Sequence, residues 1–475
     1  MTDQADSPPA QPIAREGLAF RKRRAVVQAS SVNSGPAGLI EGGFLIFSVA
    51  VFLGISNLGR TTNPAGEAQH NPLNTALYIV VLVGAGLLIW LRRREVMPVL
   101  ANSKLIWIFV AWACASVAWS LDPDLAVRRL ALFFGPLLVA LYAAARFDPG
   151  TAIKLTGWAY LGTVVVSAAV AILLPDIGVM KDSWEALKWA NLAEGAKLGG
   201  DWSGILGHKN VLGFAALANT QIFVWRWYTE KDKRWLFGPI ILLGIFVAYK
   251  THSATAALLI GLTLGTYIFV HVLRKAERLR GLIFFAMFVV LAAVLVAALM
   301  LPDQFTALVG KDATLTGRVP IWIVVLDHVI PNRPLLGYGF NTYFIPTNPD
   351  YLRLVDIVGW PAPHAHNGYL NLAVELGIPG AVLGVFILLR LLVGAARSLS
   401  DERAPWALEV LVFAVTFTIL NIVEASLLRI SDNWEYTLLF SCFATWKYQA
   451  EKRPTAPPTA RRWGAFGSIK HTELK

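Results

Sequence analysis

Apolar stretches of about 20 residues recur along the 475-residue chain and constrain its fold more than any other feature. Because lipid offers no partners for backbone N–H and C=O groups, such a stretch crosses a membrane as an α-helix. Only 15% of the residues are charged, whereas soluble domains carry about 25%. The sequence therefore predicts an all-α polytopic integral membrane protein with about twelve transmembrane helices. The predicted spans are 38–56, 74–91, 105–121, 130–146, 155–174, 211–228, 236–250, 254–273, 281–301, 368–391, 407–425 and 433–448.

The net charge of +11 is concentrated in two terminal tails. Residues 1–37 are predicted to form a disordered basic cytoplasmic tail, residues 38–448 the membrane domain, and residues 449–475 a second cytoplasmic tail. Four basic connections fall on the same side as these tails when twelve spans are counted, and lysine and arginine are retained on the cytoplasmic side. Both termini are therefore predicted to be cytoplasmic, and charge clustered at span ends argues against nucleic-acid binding. The basic residues left on the outward side are Arg128, Arg129, Lys209 and Lys250.

Two long outward segments, 175–210 and 302–367, interrupt the spans, the second as a long loop between helices 9 and 10. Both contain aromatic and charged residues at a density that a simple connection does not need. Trp322, Val325 and Val329 recur at helical spacing, which predicts a short helix along the membrane surface. A structured polar segment beside a span favours an enzyme acting at the membrane face over a transporter.

Arg318 lies close to the start of this predicted surface helix. Its guanidinium is always charged, and its planar fork fits phosphate oxygens in a bidentate way. Free N–H groups of a following helix would add positive potential at the same place. The alternative is an arginine that interacts with lipid headgroups, and position alone favours neither.

His366 immediately precedes the span 368–391, with His364 two residues earlier. Histidine exchanges protons near neutral pH and suits a general base for a hydroxyl nucleophile. Taken alone, a structural histidine at a loop–helix junction is the more common case. Metal binding by the two histidines is not expected, because no outward carboxylate or cysteine lies at ligand-like spacing.

Four glutamates lie at or inside apolar runs: Glu41, Glu375, Glu409 and Glu424. Intramembrane ionisable groups are costly, which favours a functional role for them. The alternative is a buried polar cluster that orders the helix bundle. Glu409 lies near a cytoplasmic span end and is expected to face water.

Five blocks occur in order along the chain: 204–213 (GILGHKNVLG), 316–322 (TGRVPIW), 334–340 (PLLGYGF), 366–380 (HNGYLNLAVELGIPG) and 421–429 (NIVEASLLR). In this order they resemble the O-antigen ligase and polymerase family (Wzy-like), particularly its ExoQ-like exopolysaccharide polymerase branch. The resemblance extends over roughly half of the chain.

The resemblance implies glycosyl transfer from undecaprenyl pyrophosphate at the outer face of the bacterial inner membrane. Carried over, Arg318 would bind the pyrophosphate, and His366 would activate or orient the acceptor hydroxyl. Lys209 and His208 would form a second contact near the phosphates, although an interfacial anchor is the alternative for both. The family's basic residue after the seventh span is missing from Ser253-Ala254-Thr255, so Lys250 is the candidate replacement. The remaining candidate substrate-binding residues are Tyr338, Asn367, Glu375 and Glu424.

The favoured function is therefore a polymerase that joins lipid-linked oligosaccharide repeat units in exopolysaccharide or O-antigen biosynthesis. It would need no cofactor and no metal, because pyrophosphate is a good leaving group. The expected partners are the donor, the glycan acceptor, the bilayer, a flippase and a chain-length regulator. A ligase that transfers finished glycan to lipid A core is the first alternative, and a transporter or flippase of lipid-linked glycans is the second.

Overall fold

The computed structural model describes residues 36–54, 72–180, 200–275, 317–430 and 434–452, which are almost entirely helical. The helices are α1 (Pro36–Phe52), α2 (Pro72–Leu91), α3 (Arg93–Asn102), α4 (Lys104–Ala115), α5 (Pro123–Arg146), α6 (Pro149–Leu173), α7 (Pro175–Gly178), α8 (Lys209–Thr229), α9 (Arg234–Lys250), α10 (Ala254–Lys275), α11 (Arg318–Val324), α12 (Ile330–Asn332), α13 (Pro349–Val358), α14 (Gly368–Ser398), α15 (Ala407–Val423) and α16 (Glu435–Lys452). Short 3₁₀ turns cover Ser116–Trp119, Gly204–Leu206 and Lys231–Lys233, and a π-helical turn covers Val325–Val329. Strands β1 (Val179–Met180) and β2 (Asp201–Trp202) pair antiparallel.

Membrane-length helices dominate the part of the chain that the structure describes. Five of its helices are long and apolar enough to cross a membrane, or six if the bent pair α3–α4 counts as one span. The apolar helices α1 and α15 are shorter. Each predicted span coincides with a helix except 281–301, which lies outside the described residues. The all-α membrane fold is confirmed, while the count of twelve and the loop between helices 9 and 10 stay predictions.

Helix α3 was not predicted from the sequence, whereas the predicted span 105–121 matches the helical segment Lys104–Trp119 that follows it. Helix α3 and the helical segment Lys104–Trp119 are bent by 86° relative to each other. The Ser103 hydroxyl donates to the carbonyl of Val99 at 2.8 Å, and this residue separates the two helices. The predicted spans 74–91 and 105–121 left residues 92–104 as a basic connection, and averaged hydropathy contains no information about a helix or a bend there.

An aromatic core holds the C-terminal half of the bundle together. Helix α16 packs against α5 and α14, and α14 packs against α15. Trp434 stacks on Phe413 with ring centroids 5.6 Å apart, and both side chains are buried. Close packing of such rings stabilises the contacts between these helices.

Two of the four intramembrane glutamates, Glu41 and Glu409, link helices of the bundle. Glu41 pairs with Arg146 at 2.5 Å and with Arg92 at 2.8 Å, which joins α1 to α5 and to the junction between α2 and α3. Glu409 is buried and accepts hydrogen bonds from Gln221 at 2.9 Å and from the Tyr267 hydroxyl. The expectation that Glu409 faces water is therefore wrong, because two polar side chains of neighbouring helices satisfy its carboxyl inside the bundle.

The segment 334–340 lies directly against α14, backbone to backbone. Backbone hydrogen bonds of 2.8 to 3.0 Å join it to residues 374–378. A Cβ at Gly337 would lie 2.5 Å from the carbonyl oxygen of Glu375, and a Cβ at Gly377 would lie 2.3 Å from that of Leu335. Both glycines also have positive φ, 66° and 70°. The two glycine-containing blocks therefore form one packed unit that fixes the outer loop on the helix.

We predict that Gly337→Ala lowers the thermal stability of the purified protein. The added methyl meets backbone that cannot yield, and positive φ strains any side chain, together about 1–3 kcal/mol. The matched control is Gly261→Ala, where a Cβ meets nothing within 4 Å. Unfolding followed by intrinsic tryptophan fluorescence should show a lower midpoint for the first variant only. Equal midpoints for the two variants would contradict the close packing.

Candidate functional site

Glu424 lies at the centre of a polar cluster that it forms with Arg318, His364 and His366. It is the residue after α15, with extended backbone, and its side chain is buried. The chain turns there because the Asn421 side-chain oxygen accepts a hydrogen bond from the Ser426 N–H at 3.0 Å. Burying a carboxylate costs free energy unless hydrogen-bond donors or positive charges compensate for the lost water. The side chains around Glu424 are therefore expected to be donors or cations.

Three side chains from two other segments converge on this carboxylate. Arg318 Nη2 lies 3.3 Å from Oε2 of Glu424. His364 Nε2 and His366 Nδ1 each lie 3.3 Å from Oε1. The structure thus brings together Arg318, His366 and Glu424, which the sequence singled out separately, and adds His364.

The histidine loop, residues 359–367 between α13 and α14, is held by contacts on both of its sides. The Asn367 side-chain oxygen caps α14 by accepting from the N–H groups of Tyr369 and Leu370 at 3.0 Å, and its amide donates to the carbonyl of Ile422 at 3.1 Å. Gly368 is needed at the next position, since a Cβ there would lie 2.1 Å from the Asn421 side chain. Asn367 therefore joins α14 to the end of α15, and its predicted role in substrate binding stays a prediction.

His366 is held in a sparsely populated backbone conformation, with φ of 48°. In the part of the chain that the structure describes, the other non-glycine residues with positive φ are His252, Asn341 and Leu428. Such strain persists only where the surroundings enforce it, and it concentrates at functional sites. All four residues lie in connections between helices rather than inside the helices.

Hydrogen bonding selects the tautomers of the two histidines. The His366 backbone N–H donates to His364 Nδ1 at 3.1 Å, so that nitrogen is an acceptor and the proton of neutral His364 is on Nε2, facing Glu424. Burial, reinforced by nearby His366, Arg429 and Arg318, holds the pKa of His364 well below its usual range. His364 is therefore neutral, and its Nε2 lies 3.3 Å from the carboxylate.

His366 has the complementary arrangement. Its Nδ1 faces the Glu424 carboxylate, which favours the proton on that nitrogen and leaves a lone pair on Nε2. Both ring nitrogens of His366 are buried, and neither makes a hydrogen bond of ordinary geometry among the described residues. A carboxylate behind one imidazole nitrogen and a free lone pair on the other is the arrangement that a general base requires.

Arg318 reaches the cluster from the outer helix α11. Gly317 precedes it with φ of 80°, and the Trp322 indole donates to the carbonyl of Ala365 at 2.9 Å, which docks α11 on the histidine loop. The Arg318 side chain is only 11% exposed. Its partner is thus a buried carboxylate of the protein rather than the lipid headgroup considered from the sequence.

The cluster contains the donor atoms of a metal site. The ligand atoms of His364, His366 and Glu424 lie within 4.8 Å of one another. The sequence argument considered only carboxylates and cysteines at ligand-like spacing along the chain, and it missed Glu424, which is distant in the chain and adjacent in the fold. However, Arg318 occupies the second carboxylate oxygen, and a fixed guanidinium there repels a divalent cation.

Lys209 and Lys250 belong to a neighbouring group on the same face. Lys209 pairs with Asp201 at 2.9 Å, and His252 Nδ1 lies 2.7 Å from the other oxygen of Asp201. Lys250 lies over the Trp202 ring, 5.4 Å from its centroid. Neither lysine has a contact with Arg318 among the described interactions, whereas His208 is close enough to His364 to influence its pKa.

Tyr338 and Glu375 lie behind the histidine loop. Tyr338 is buried against Tyr343, with ring centroids 4.8 Å apart, and packs beneath α11 to α13. Glu375 accepts from the Asn371 amide at 2.8 Å, and the Asn371 oxygen accepts from the Ala365 N–H at 3.1 Å. Glu375 therefore supports the loop through Asn371.

Sequence reasoning missed Arg129 as a site residue and gave no role to Arg429. Arg129, on α5, donates to the carbonyl of Asn341, and Arg429 Nη2 lies 3.4 Å from the carbonyl of Pro363. Both line a polar cavity beside the histidine loop. Arg129 could have been selected from the sequence, because it is one of the few basic residues on the predicted outward side, where the positive-inside rule expects few.

Comparison with known proteins bears on the same part of the chain. A family model described as O-antigen ligase matches residues 239–385. The match includes Arg318 and both histidines, whereas Glu424 and Arg429 lie beyond it. The exopolysaccharide production protein ExoQ of Rhizobium meliloti (strain 1021) is 27% identical over 323 residues, which cover 66% of this chain and 70% of the relative.

We predict that His364 makes the fold sensitive to acid. Its folded-state pKa lies below the unfolded value of about 6.5, so the unfolded chain takes up the proton first. The stability that His364 contributes is present above about pH 6.5 and is lost as pH falls, by up to about 1.4 kcal/mol per pH unit. Unfolding midpoints of wild type and His364→Gln between pH 7.5 and 5.5 should therefore converge. The control His328→Gln removes an exposed histidine and should follow wild type; a gap between wild type and His364→Gln that stays constant or widens contradicts the assignment.

Proposed function

Because the chain belongs to the O-antigen ligase/ExoQ-like family, we propose that it is a polysaccharide polymerase. It transfers oligosaccharide repeat units linked to undecaprenyl pyrophosphate onto a growing glycan in exopolysaccharide or O-antigen biosynthesis. The observation that supports this most directly is the convergence of Arg318 and His366 on one buried carboxylate, Glu424. A base with a free lone pair beside a phosphate-binding group suits glycosyl transfer from a pyrophosphate donor.

His366 acts as the general base in this proposal. The acceptor hydroxyl transfers its proton to Nε2 as its oxygen bonds to the anomeric carbon of the donor. The bond from that carbon to the pyrophosphate oxygen breaks, and undecaprenyl pyrophosphate leaves with the electron pair. Glu424 stabilises the imidazolium that forms, because its oxygen faces Nδ1.

Arg318 stabilises the leaving group. One of its terminal nitrogens is used on Glu424, and the remaining N–H groups of the guanidinium are available to phosphoryl oxygens. Negative charge grows on the pyrophosphate in the transition state, where a fixed donor in a water-poor site is worth about 3–4 kcal/mol. His208 is a second candidate contact because it lies near His364.

The protein would act in the bacterial inner membrane with both termini in the cytoplasm and the site in the periplasm. Arg129, Lys209 and Lys250 are exceptions to the positive-inside rule. In this orientation they lie on the same side of the membrane as the site, which gives them a role there. The lipid-linked donor arrives through the bilayer, which requires a flippase upstream. A chain-length regulator is a further expected partner.

A ligase that transfers finished glycan onto lipid A core or another acceptor is the second candidate. It is favoured by the O-antigen ligase description of the matching family model. The relative named for exopolysaccharide production favours the polymerase. A transporter or flippase is disfavoured, because carrying a glycan needs no general base with a carboxylate behind it.

We predict that His366→Ala, Glu424→Gln and Arg318→Gln each abolish long-chain glycan in a deletion strain. Electrophoresis of lipid-linked and surface glycans should show single repeat units accumulating, because the base, its orienting carboxylate or the leaving-group contact is lost. Matched controls are His328→Ala and Arg353→Gln, both exposed on the same outer segment. Long lipid-linked chains that never reach an acceptor would identify a ligase, and full-length polymer in the site variants would exclude this site.

We also predict that chelation leaves the activity intact. The purified protein, given lipid-linked donor in vitro, should keep its rate within twofold after EDTA treatment, because Arg318 disfavours a cation on Glu424. Addition of Zn²⁺ or Mn²⁺ should not raise the rate. A loss in EDTA that one of these ions restores would instead establish His364, His366 and Glu424 as metal ligands.

A further inference from the structure

A polar cavity of about 100 Å³ lies beside the histidine loop, and its lining does not include Arg318, His366 or Glu424. It is bounded on one side by Pro363, the residue before His364, and on the other by the outer end of α5. The side chains that matter for its chemistry are Arg129, Asn341, Phe344, Pro363, Glu375 and Arg429.

The cavity contains hydrogen-bond donors without acceptors. Asn341 is 4% exposed, and its amide nitrogen is buried with no partner among the described residues. The Nε of Arg429 is likewise buried without an acceptor. A buried donor left unsatisfied costs about 1–3 kcal/mol, so such donors indicate a place where a ligand supplies oxygen atoms. Asn341 also has φ of 56°, a strained backbone held at the cavity wall.

The charges of the lining select a monoanion. Two guanidinium groups, Arg129 and Arg429, face one carboxyl group, Glu375. With Glu375 ionised, the lining has one net positive charge. The Arg318 guanidinium is already paired with Glu424 and adds nothing here. Arginine binds a carboxylate with two parallel hydrogen bonds, and the Asn341 amide offers a further donor.

The shape favours a carboxylate that belongs to a sugar. A volume of about 100 Å³ accommodates a carboxylate, but not a diphosphate diester with a lipid on one side and a glycan on the other. Phe344 and the exposed Pro363 provide apolar walls against which a sugar ring can lie. Pro363 also places the mouth of the cavity next to the histidine loop.

We propose that the cavity is a specificity subsite for the carboxylate of an acidic sugar in the glycan substrate, bound by Arg129, Arg429 and Asn341. The proposal rests on the proposed polymerase function and names a substrate class for it. Asn371 contacts both Glu375 in the cavity wall and Ala365 in the histidine loop. Occupation of the subsite is thereby coupled to the position of His366.

The test is binding of monosaccharides to the purified full-length protein, which does not depend on polymerisation. The probes are methyl glucuronide, its neutral counterpart methyl glucoside and inorganic pyrophosphate, followed by microscale thermophoresis. We expect wild type to bind the glucuronide at least tenfold more tightly than the glucoside. Arg129→Gln and Arg429→Gln should remove this preference, Arg429→Lys should reduce it severalfold, and the control Arg353→Gln should retain it.

Any other pattern overturns the proposal. A glucuronide preference that is absent from wild type, or that survives the arginine substitutions, excludes a carboxylate subsite. If pyrophosphate alone loses affinity in the arginine variants, the cavity belongs to the donor diphosphate. Arg429→Lys retains the positive charge, so it serves as the test if the glutamine variants do not fold. An unchanged glucuronide preference in Arg429→Lys would then contradict the proposal. The glycan profile of the deletion strain tests the polymerase function separately, so the two failures are distinguishable.

Discussion

The outer face of this protein depends on one buried carboxylate at the end of an apolar helix. Glu424 can remain buried only because Arg318, His364 and His366 surround it, and those residues come from two other segments. Removing a single partner from a buried ion cluster typically costs about 3–5 kcal/mol, because the remaining charge is left uncompensated. The requirement to satisfy Glu424 therefore fixes the positions of α11 and the histidine loop relative to α15.

Backbone packing makes that arrangement rigid. Gly337 and Gly377 let the outer segment lie directly on α14, while Gly368 lets the histidine loop approach Asn421. Side chains at any of these positions would separate the surfaces. As a result, the groups around Glu424 are attached to helices through short backbone contacts rather than to a free loop. A general base must be held to within a fraction of an ångström of its productive position, and this construction provides the support.

Hydropathy predicted the helices well, because the lipid environment leaves an apolar stretch of 20 residues almost no other structure. It could not predict the bend at Ser103 or the burial of Glu409, since both depend on contacts with other helices. The same limit applies to the site. Arg318, His366 and Glu424 could each be selected by residue type and position, whereas their meeting on one carboxylate, and the presence of His364 in the group, required the fold. Arg129 was visible only as an exception to the charge rule.

Charge is distributed differently in the Glu424 cluster and in the neighbouring polar cavity. Within the cluster, the Arg318 guanidinium and the Glu424 carboxylate cancel, and His364 is neutral, so these three groups together carry no net charge. The uncancelled positive charge lies instead in the cavity lined by Arg129 and Arg429. A base surrounded by excess positive charge would lose its affinity for protons, and an anion subsite without it would have no attraction for its ligand. In the proposed mechanism, Asn371 links the two groups, and Arg429, which also lowers the pKa of His364, is the positive charge that they share.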